Sequence, residues 1–401
     1  MPYYSVMVKH VLPDYLGVVA LGVKAGVILP GDDIVEIVCD RIEVCYSDGF
    51  LDDRDIVCVT ESVVARSQEN YVTEDEISKE IQNRLGVSAG GHLGVLFPIV
   101  SRNRFAAILR GIVKAVPEGK VTVQLSYPYD EVGNLTLSED YLRECGWGHD
   151  KKIDADDLDE ECSRHPLTGV NYVRLYQDII NEVGAEPHVF LSNDPLSILD
   201  SEPDGIVISE IHVRERTRTL VEKKFGNLIT LQDIFNDDSE PAWSEWGLLG
   251  SNLSSGGKIK LAPRDGDKVA ERIKDEVLRR TGKSVEVVIY GDGAYKDPTS
   301  GIFELADPET FFGLTRGLME RRRTGVKYKW LTDELLREGM SRKEIEERIE
   351  TLKGQEHEID SPFMEGTTPR RLADVVSSLA DLVSGSADAG TPIILVKRML
   401  S

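Results

Sequence analysis

The amino-acid sequence predicts an α+β/α/β chain, a core of mixed sheets with one small α/β subdomain of parallel strands inserted in it. Three observations lead there. Nearly unbroken apolar runs at residues 56–60 and 285–290 read as buried strands of a covered sheet, and residues 121–125 read as another strand. Between such runs, apolar residues recur at helical spacing, as in Ile34, Ile37, Val38 and Ile42 or Phe105, Ile108, Leu109 and Ile112. Residues 172–231 then alternate helix and strand patterns, which indicates parallel βα units. The expected organisation is a first core part at 1–139, the insertion at 140–240 and a second core part at 241–401, with a charged helical excursion at 315–362.

Composition bounds the function. The chain has 401 residues, enough for two domains, with 41% apolar and 29% charged residues. Its formal net charge of -23 argues against nucleic acid as a partner, because that binding depends on Lys and Arg releasing phosphate counterions. The five cysteines are odd in number and form no C-x-x-C pair, so reduced thiols in a cytoplasmic protein are expected. Residues 16–30 are apolar but carry Lys24 and three glycines, and they lead straight into a folded pattern. A signal segment or membrane span is not expected there.

Taken in order, residues 18–29 read as a strand closed by Pro30-Gly31, with Asp32 as the cap of the first helix. The strand at 56–60 is followed at once by Glu61 and Ser62. Polar groups beyond a strand's carboxyl end are where α/β sheets hold ligands, although a helix start with Ser62 near its cap accounts for them equally. Residues 88–94 are glycine-rich but lack the ending of a phosphate loop. Arg102, Arg104 and Arg110 flank an amphipathic helix and suit either an anionic substrate or neighbouring carboxylates. Asp130 and Glu131 stand just past the 121–125 strand, a second place for metal-binding carboxylates.

Further along, His188 and His212 fall in or beside strands and are read as structural. Residues 243–252 form a loop ending in Ser251-Asn252, and a helix capped by Asp267 and stopped by Gly282 follows. The 285–290 strand ends in Gly291-Asp292-Gly293. Two glycines let the backbone turn sharply, and a carboxylate held there is placed either to shape the turn or to hold a divalent cation. Near the end, Thr368-Pro369 caps a helix through residues 372–383. The small-residue loop 384–390 offers backbone N–H groups to phosphate, with Asp388 as a metal ligand or a turn former.

Together these motifs resemble the coenzyme F420-0:L-glutamate ligase family, in three blocks at the start, middle and end of the chain. The resemblance implies a mixed-sheet ligase core that activates a carboxylate with GTP or ATP and Mg²⁺ or Mn²⁺, then joins it to L-glutamate through an acyl phosphate. It implies a small-molecule carboxylate acceptor and a homodimer. By resemblance, Gly26, Val27, Ile28, Glu61, Ser62, Arg66, Asn252, Gly385, Ser386 and Gly390 contact the nucleotide. Asp292 matches the family's metal site, with Asp130, Glu131 or Asp388 as substitutes for metal carboxylates the chain lacks. Asp292 and Arg66 are the expected catalytic residues, and Arg102, Arg104, Arg370 and Arg371 are the chain's candidates to grip substrate carboxylates. The chain departs from the family where it has Arg66 for a lysine, Leu249 for an aspartate ligand and Ser386 for a glutamate ligand. Two other functions stand beside this one: another amide ligase, such as a folate-type polyglutamylase, and a nucleotide- or metabolite-binding protein without catalysis.

Overall fold

The computed structural model describes residues 12–13, 15–160, 163–165, 169–293, 295–296, 303–323, 325–353, 362, 370–384 and 390–400. Two sheets dominate. The mixed sheet has five strands in the order Val19–Val23, Ile393–Lys397, Ile56–Thr60, Glu286–Tyr290 and Phe311–Leu314. Only Ile56–Thr60 and Glu286–Tyr290 run parallel, in register from Ile56 opposite Glu286 to Thr60 opposite Tyr290. Alternation along the strands divides the apolar residues between two cores. Val57, Val59, Val287 and Ile289 face the helices Ile34–Ser47 and Gly266–Thr281. Ile56, Cys58, Val288 and Tyr290 face the helix Leu372–Ser384. Because both faces are covered, residues 57–59 and 287–290 read as nearly continuous apolar runs.

The second sheet has six strands in the order Ile153–Asp154, Glu186–Leu191, Lys120–Leu125, His92–Leu96, Gly205–Ile208 and Leu228–Thr230. All pairs but the first are parallel. Helices Glu74–Leu85, Phe105–Lys114 and Tyr172–Val183 cover one face, and the helix Arg214–Val221 lies over the other. This sheet is larger than the expected 140–240 insertion, because His92–Leu96 and Lys120–Leu125 form its centre. Its strands all lie between Ile56–Thr60 and Glu286–Tyr290 in the chain. The glycine-rich 88–94 stretch runs into the central strand, where a Cβ at Gly94 would sit 3.0 Å from Ile198.

Local signals mostly act where expected, one residue displaced in places. Asp33 rather than Asp32 caps the first helix, accepting from the Val35 and Glu36 amides. Asp267 is not a cap: it lies in the first turn of Gly266–Thr281, and its carboxylate accepts from the Leu314 amide at 2.7 Å. The charged excursion forms two helices, Tyr328–Arg337 and Arg342–Lys353, around a small core of Leu331, Leu335, Ile345, Ile349 and Leu352. Cys39 and Cys58 are buried free thiols, while Cys145 is exposed; Cys162 and Thr368-Pro369 lie outside the described residues. No described helix is long and apolar enough to cross a membrane.

One close approach locks the mixed sheet to its helix. A Cβ on Gly313 would lie 2.3 Å from the Gly266 carbonyl carbon, so strand and helix N-terminus meet backbone to backbone. Gly313→Ala is expected to destabilise the fold by about 1–3 kcal/mol or more, read from the midpoint of urea denaturation.

Candidate active site

The carboxyl ends of Ile56–Thr60 and Glu286–Tyr290 lie side by side because the two strands are parallel. Glu61 follows the first and Gly291-Asp292-Gly293 the second, so two distant carboxylates are delivered to one edge of the sheet. The Gly291 amide donates to the Thr310 carbonyl at 2.9 Å, and the Gly293 amide donates to Asp381 at 2.8 Å. The Asp292 amide donates to Asp307 Oδ2 at 2.8 Å. Glycine is needed at both flanks: a Cβ on Gly291 would meet Phe312 at 2.6 Å, and one on Gly293 would meet the Ser378 Cα at 2.9 Å.

Arg104 crosses from the parallel sheet to complete this edge. It stands at the end of the connection leaving His92–Leu96, just before the helix Phe105–Lys114. Its guanidinium donates to Asp292 Oδ2 at 2.8 Å and to Asp307 Oδ1 at 2.9 Å. The Asp307 side chain is 1% exposed and Arg104 18%, whereas Asp292 remains 33% exposed. Beside them Lys260 holds both oxygens of Glu61, at 2.9 and 2.6 Å. Asn252 is the cross-strand partner of Lys260, and the next amide, Leu253, donates to the Asn103 carbonyl at 2.8 Å. Glu61, Asn252, Arg104 and Asp292, singled out separately in the sequence, therefore belong to one cluster.

The electrostatics follow from burial. Desolvation, with the nearby charges of Asp307, Glu61 and Asp381, pushes the Asp292 carboxyl up to about 7 against the pull of Arg104. Burial raises Glu61 as well, opposed by Lys260. Arg104 is held protonated beyond its ordinary range: burial opposes its charge, and Asp307 and Asp292 outweigh it. Four carboxylates thus face two cations, Arg104 and Lys260.

Other expected residues lie elsewhere. Asp130 closes its own turn, accepting from the amides of Val100, Val132 and Asn134 and from the Asn134 side chain. Glu131 accepts from the amides of Ile211 and His212. Neither is joined to Asp292, and no group of three or more His, Cys, Asp or Glu side chains among the described residues is arranged to hold a metal ion. Arg371 is not open for a substrate carboxylate, since it pairs with Glu309 at 2.5 Å and Asp374 at 2.8 Å. Arg102 and Arg370 are exposed.

Arg66 is exposed in the last turn of the helix Glu61–Ser67, and Ser62 is exposed in its first. The Gly31 amide donates to the Ser67 carbonyl, which brings the end of the loop carrying Gly26, Val27 and Ile28 beside that last turn. Gly26 has φ of 80° and Val27 is 83% exposed, while Ile28 is buried. Gly385, Ser386 and Asp388 lie outside the described residues; Gly390 is described, with φ of 72°. The last described residue before them, Ser384, accepts at Oγ from the Tyr290 hydroxyl at 2.7 Å. His188 and His212 make structural contacts, with Thr122 and with the Leu305 carbonyl.

Asp307, Asp381 and Lys260 were missed in the sequence. Asp307-Pro308 reads as an ordinary turn, Asp381 as the polar side of a helix, and Lys260 sits on a two-residue strand.

Two outcomes follow. Arg104→Met leaves Asp307 buried and unpaired, and is expected to cost about 3–5 kcal/mol in urea denaturation. A carboxyl raised to about 7 loses stabilisation as pH rises from the ordinary carboxylate range through 7. Asp292→Asn should therefore gain stability relative to the parent chain between pH 5 and pH 8, measured by thermal melting at both.

The family model described as F420-0:Gamma-glutamyl ligase matches residues 22–398. No curated protein matches the chain significantly. With nearly the whole sequence covered by that model, the chain belongs to the F420-0:gamma-glutamyl ligase family.

Proposed function

We propose that this chain forms an amide between the amine of L-glutamate and the carboxyl group of a small acceptor of the F420-0 type, using GTP or ATP with Mg²⁺ or Mn²⁺. The observation that carries the reading is the carboxylate cluster at the paired strand ends, Glu61, Asp292, Asp307 and Asp381 against Arg104 and Lys260. An excess of negative charge around the half-buried Asp292 favours a divalent cation. Mg²⁺ is commonly held by one or two carboxylates plus phosphate oxygens and water, so a three-carboxylate cage is not required. Asp292 suits this role because it is the exposed member of its pair with Asp307. The cation, when bound, neutralises charge on the transferring phosphoryl group.

The chain's own residues would divide the remaining work. Arg104 and the Asp307 contact to its amide fix Asp292, so that its carboxylate does not reorganise during the reaction. Arg66, which is exposed, would supply positive charge to phosphates as a planar fork, while Lys260 neutralises Glu61. Asn252 and the 26–28 loop would contact the nucleotide. In the first step an acceptor carboxylate oxygen attacks the γ-phosphorus and the nucleoside diphosphate leaves. In the second, the amine of glutamate attacks the acyl carbon, phosphate leaves and the amine proton is lost.

The position of Leu249 weakens the reading of a protein without catalysis. Leu249 is 1% exposed within the apolar core, and Asp307 supplies the second carboxylate beside Asp292. The departure at that position then says little about the carboxylates of the site.

The test is to incubate the protein with GTP or ATP, Mn²⁺, labelled glutamate and F420-0, and to identify labelled product by mass spectrometry. Asp292→Asn is expected to lower turnover by about 10²–10³-fold, the scale for losing one electrostatic contact to a transition state. Full turnover in that variant would remove Asp292 from the site. Nucleotide binding without glutamate-dependent hydrolysis would favour the binding-protein reading.

A further inference from the structure

Numbered along the chain, the five parallel strands of the second sheet lie in the spatial order 3-2-1-4-5, with His92–Leu96 first and Gly205–Ile208 fourth. Winding therefore reverses between these two neighbours. The connection after His92–Leu96 leads to the helix Phe105–Lys114 on one face, and the connection after Gly205–Ile208 leads to Arg214–Val221 on the other. Connections that depart to opposite faces leave a crevice at the strands' carboxyl ends, where open α/β sheets bind ligands.

One lip of this crevice, residues 97–104, ends in Arg104 on the carboxylate cluster. The other, residues 209–213, carries Glu210. Two contacts tie that second lip down. Glu131 takes the Ile211 and His212 amides, and His212 Nε2 lies 2.9 Å from the carbonyl of Leu305, two residues before Asp307. The two lips are thus joined to the same short segment.

Glu210 is 6% exposed, and its Oε2 has no hydrogen-bond partner, although Thr217 bonds to the carboxyl group. Leaving a buried acceptor unmatched is costly, and a carboxylate oxygen is matched only by a donor. Burial, together with the charge of Glu131, pushes the Glu210 carboxyl up to about 7, so an arriving ammonium would favour its ionised form.

We propose that Glu210 receives the α-ammonium of the amino-acid substrate, which enters the crevice between residues 97–104 and 209–213. The assignment rests on the ligase reading and adds to it the place of the second substrate. The two substrates then approach from different sheets, the nucleotide at the mixed sheet and the amino acid at the parallel one.

The test compares L-glutamate with glutarate, the same dicarboxylate without the amine, for the parent chain and Glu210→Gln. Binding is measured by calorimetry, and KM for glutamate and for nucleotide in the ligation assay. Glu210→Gln is expected to weaken glutamate by about tenfold to a hundredfold, the scale of one charged hydrogen bond, and to leave glutarate and the nucleotide KM unchanged. Glu210→Asp, which keeps the charge and shortens its reach, should shift the same preference and serves if the first variant does not fold. Ligation by the parent chain with an unaltered glutamate preference in the variant overturns the Glu210 assignment alone. A parent chain that neither binds glutamate nor ligates it overturns the ligase reading as well.

Discussion

The structure depends on one guanidinium. Arg104 comes from the parallel sheet and both of its carboxylate partners from the second half of the mixed sheet, so its two hydrogen bonds fix how the sheets' carboxyl ends meet. A lysine would not serve equally, since a planar fork can satisfy two carboxylates in fixed directions and an ammonium is a point charge. Asp307 makes the constraint stringent. Nearly inaccessible, it needs a cation beside it, and with its other oxygen it holds the Asp292 amide. The turn after Glu286–Tyr290, the connection after His92–Leu96 and the segment around Asp307 consequently behave as one unit.

This polar unit lies where separate apolar cores meet. Trp246 packs against the core of the parallel sheet and also against one core of the mixed sheet, with its ring edge-on to Phe312 at 6.4 Å between centroids. Apolar contact supplies cohesion between the sheets, while the charged cluster supplies direction. Glu61 and Asp307, the most buried carboxylates here, are each matched to a cation, Lys260 and Arg104.

Much of this was legible in the sequence, for identifiable reasons. Strands such as Ile56–Thr60 and Glu286–Tyr290 are apolar along most of their length because both sheet faces are covered, and the polar residues that follow them mark the sheet edge. That reasoning found Glu61 and Asp292. Applied to Asp130 and Glu131 it places two carboxylates past a strand end but not at the cluster, because each is used by nearby amides. Strand pairing was the larger gap. His92–Leu96 contains a glycine and follows a glycine-rich stretch, so its place at the centre of the parallel sheet depends on neighbours 28 and 112 residues away, as His92 pairs with Lys120 and its amide reaches Asp204. Asp307 was illegible for the same reason: its role comes from partners 203 and 15 residues distant, and nothing local marks it.

The parallel pairing of Ile56–Thr60 with Glu286–Tyr290 also has a consequence for how the chain is made. On its other side Ile56–Thr60 pairs with Ile393–Lys397, so both neighbours of this strand lie far downstream. During synthesis it emerges as an apolar ribbon with two unpaired edges, and one of them stays open until Ile393–Lys397 leaves the ribosome. The parallel sheet, whose strands lie wholly between these segments, can close on itself first. Assembly then runs from the middle of the chain outward, and the sheet edge that carries Glu61 and Asp292 is among the last features to form.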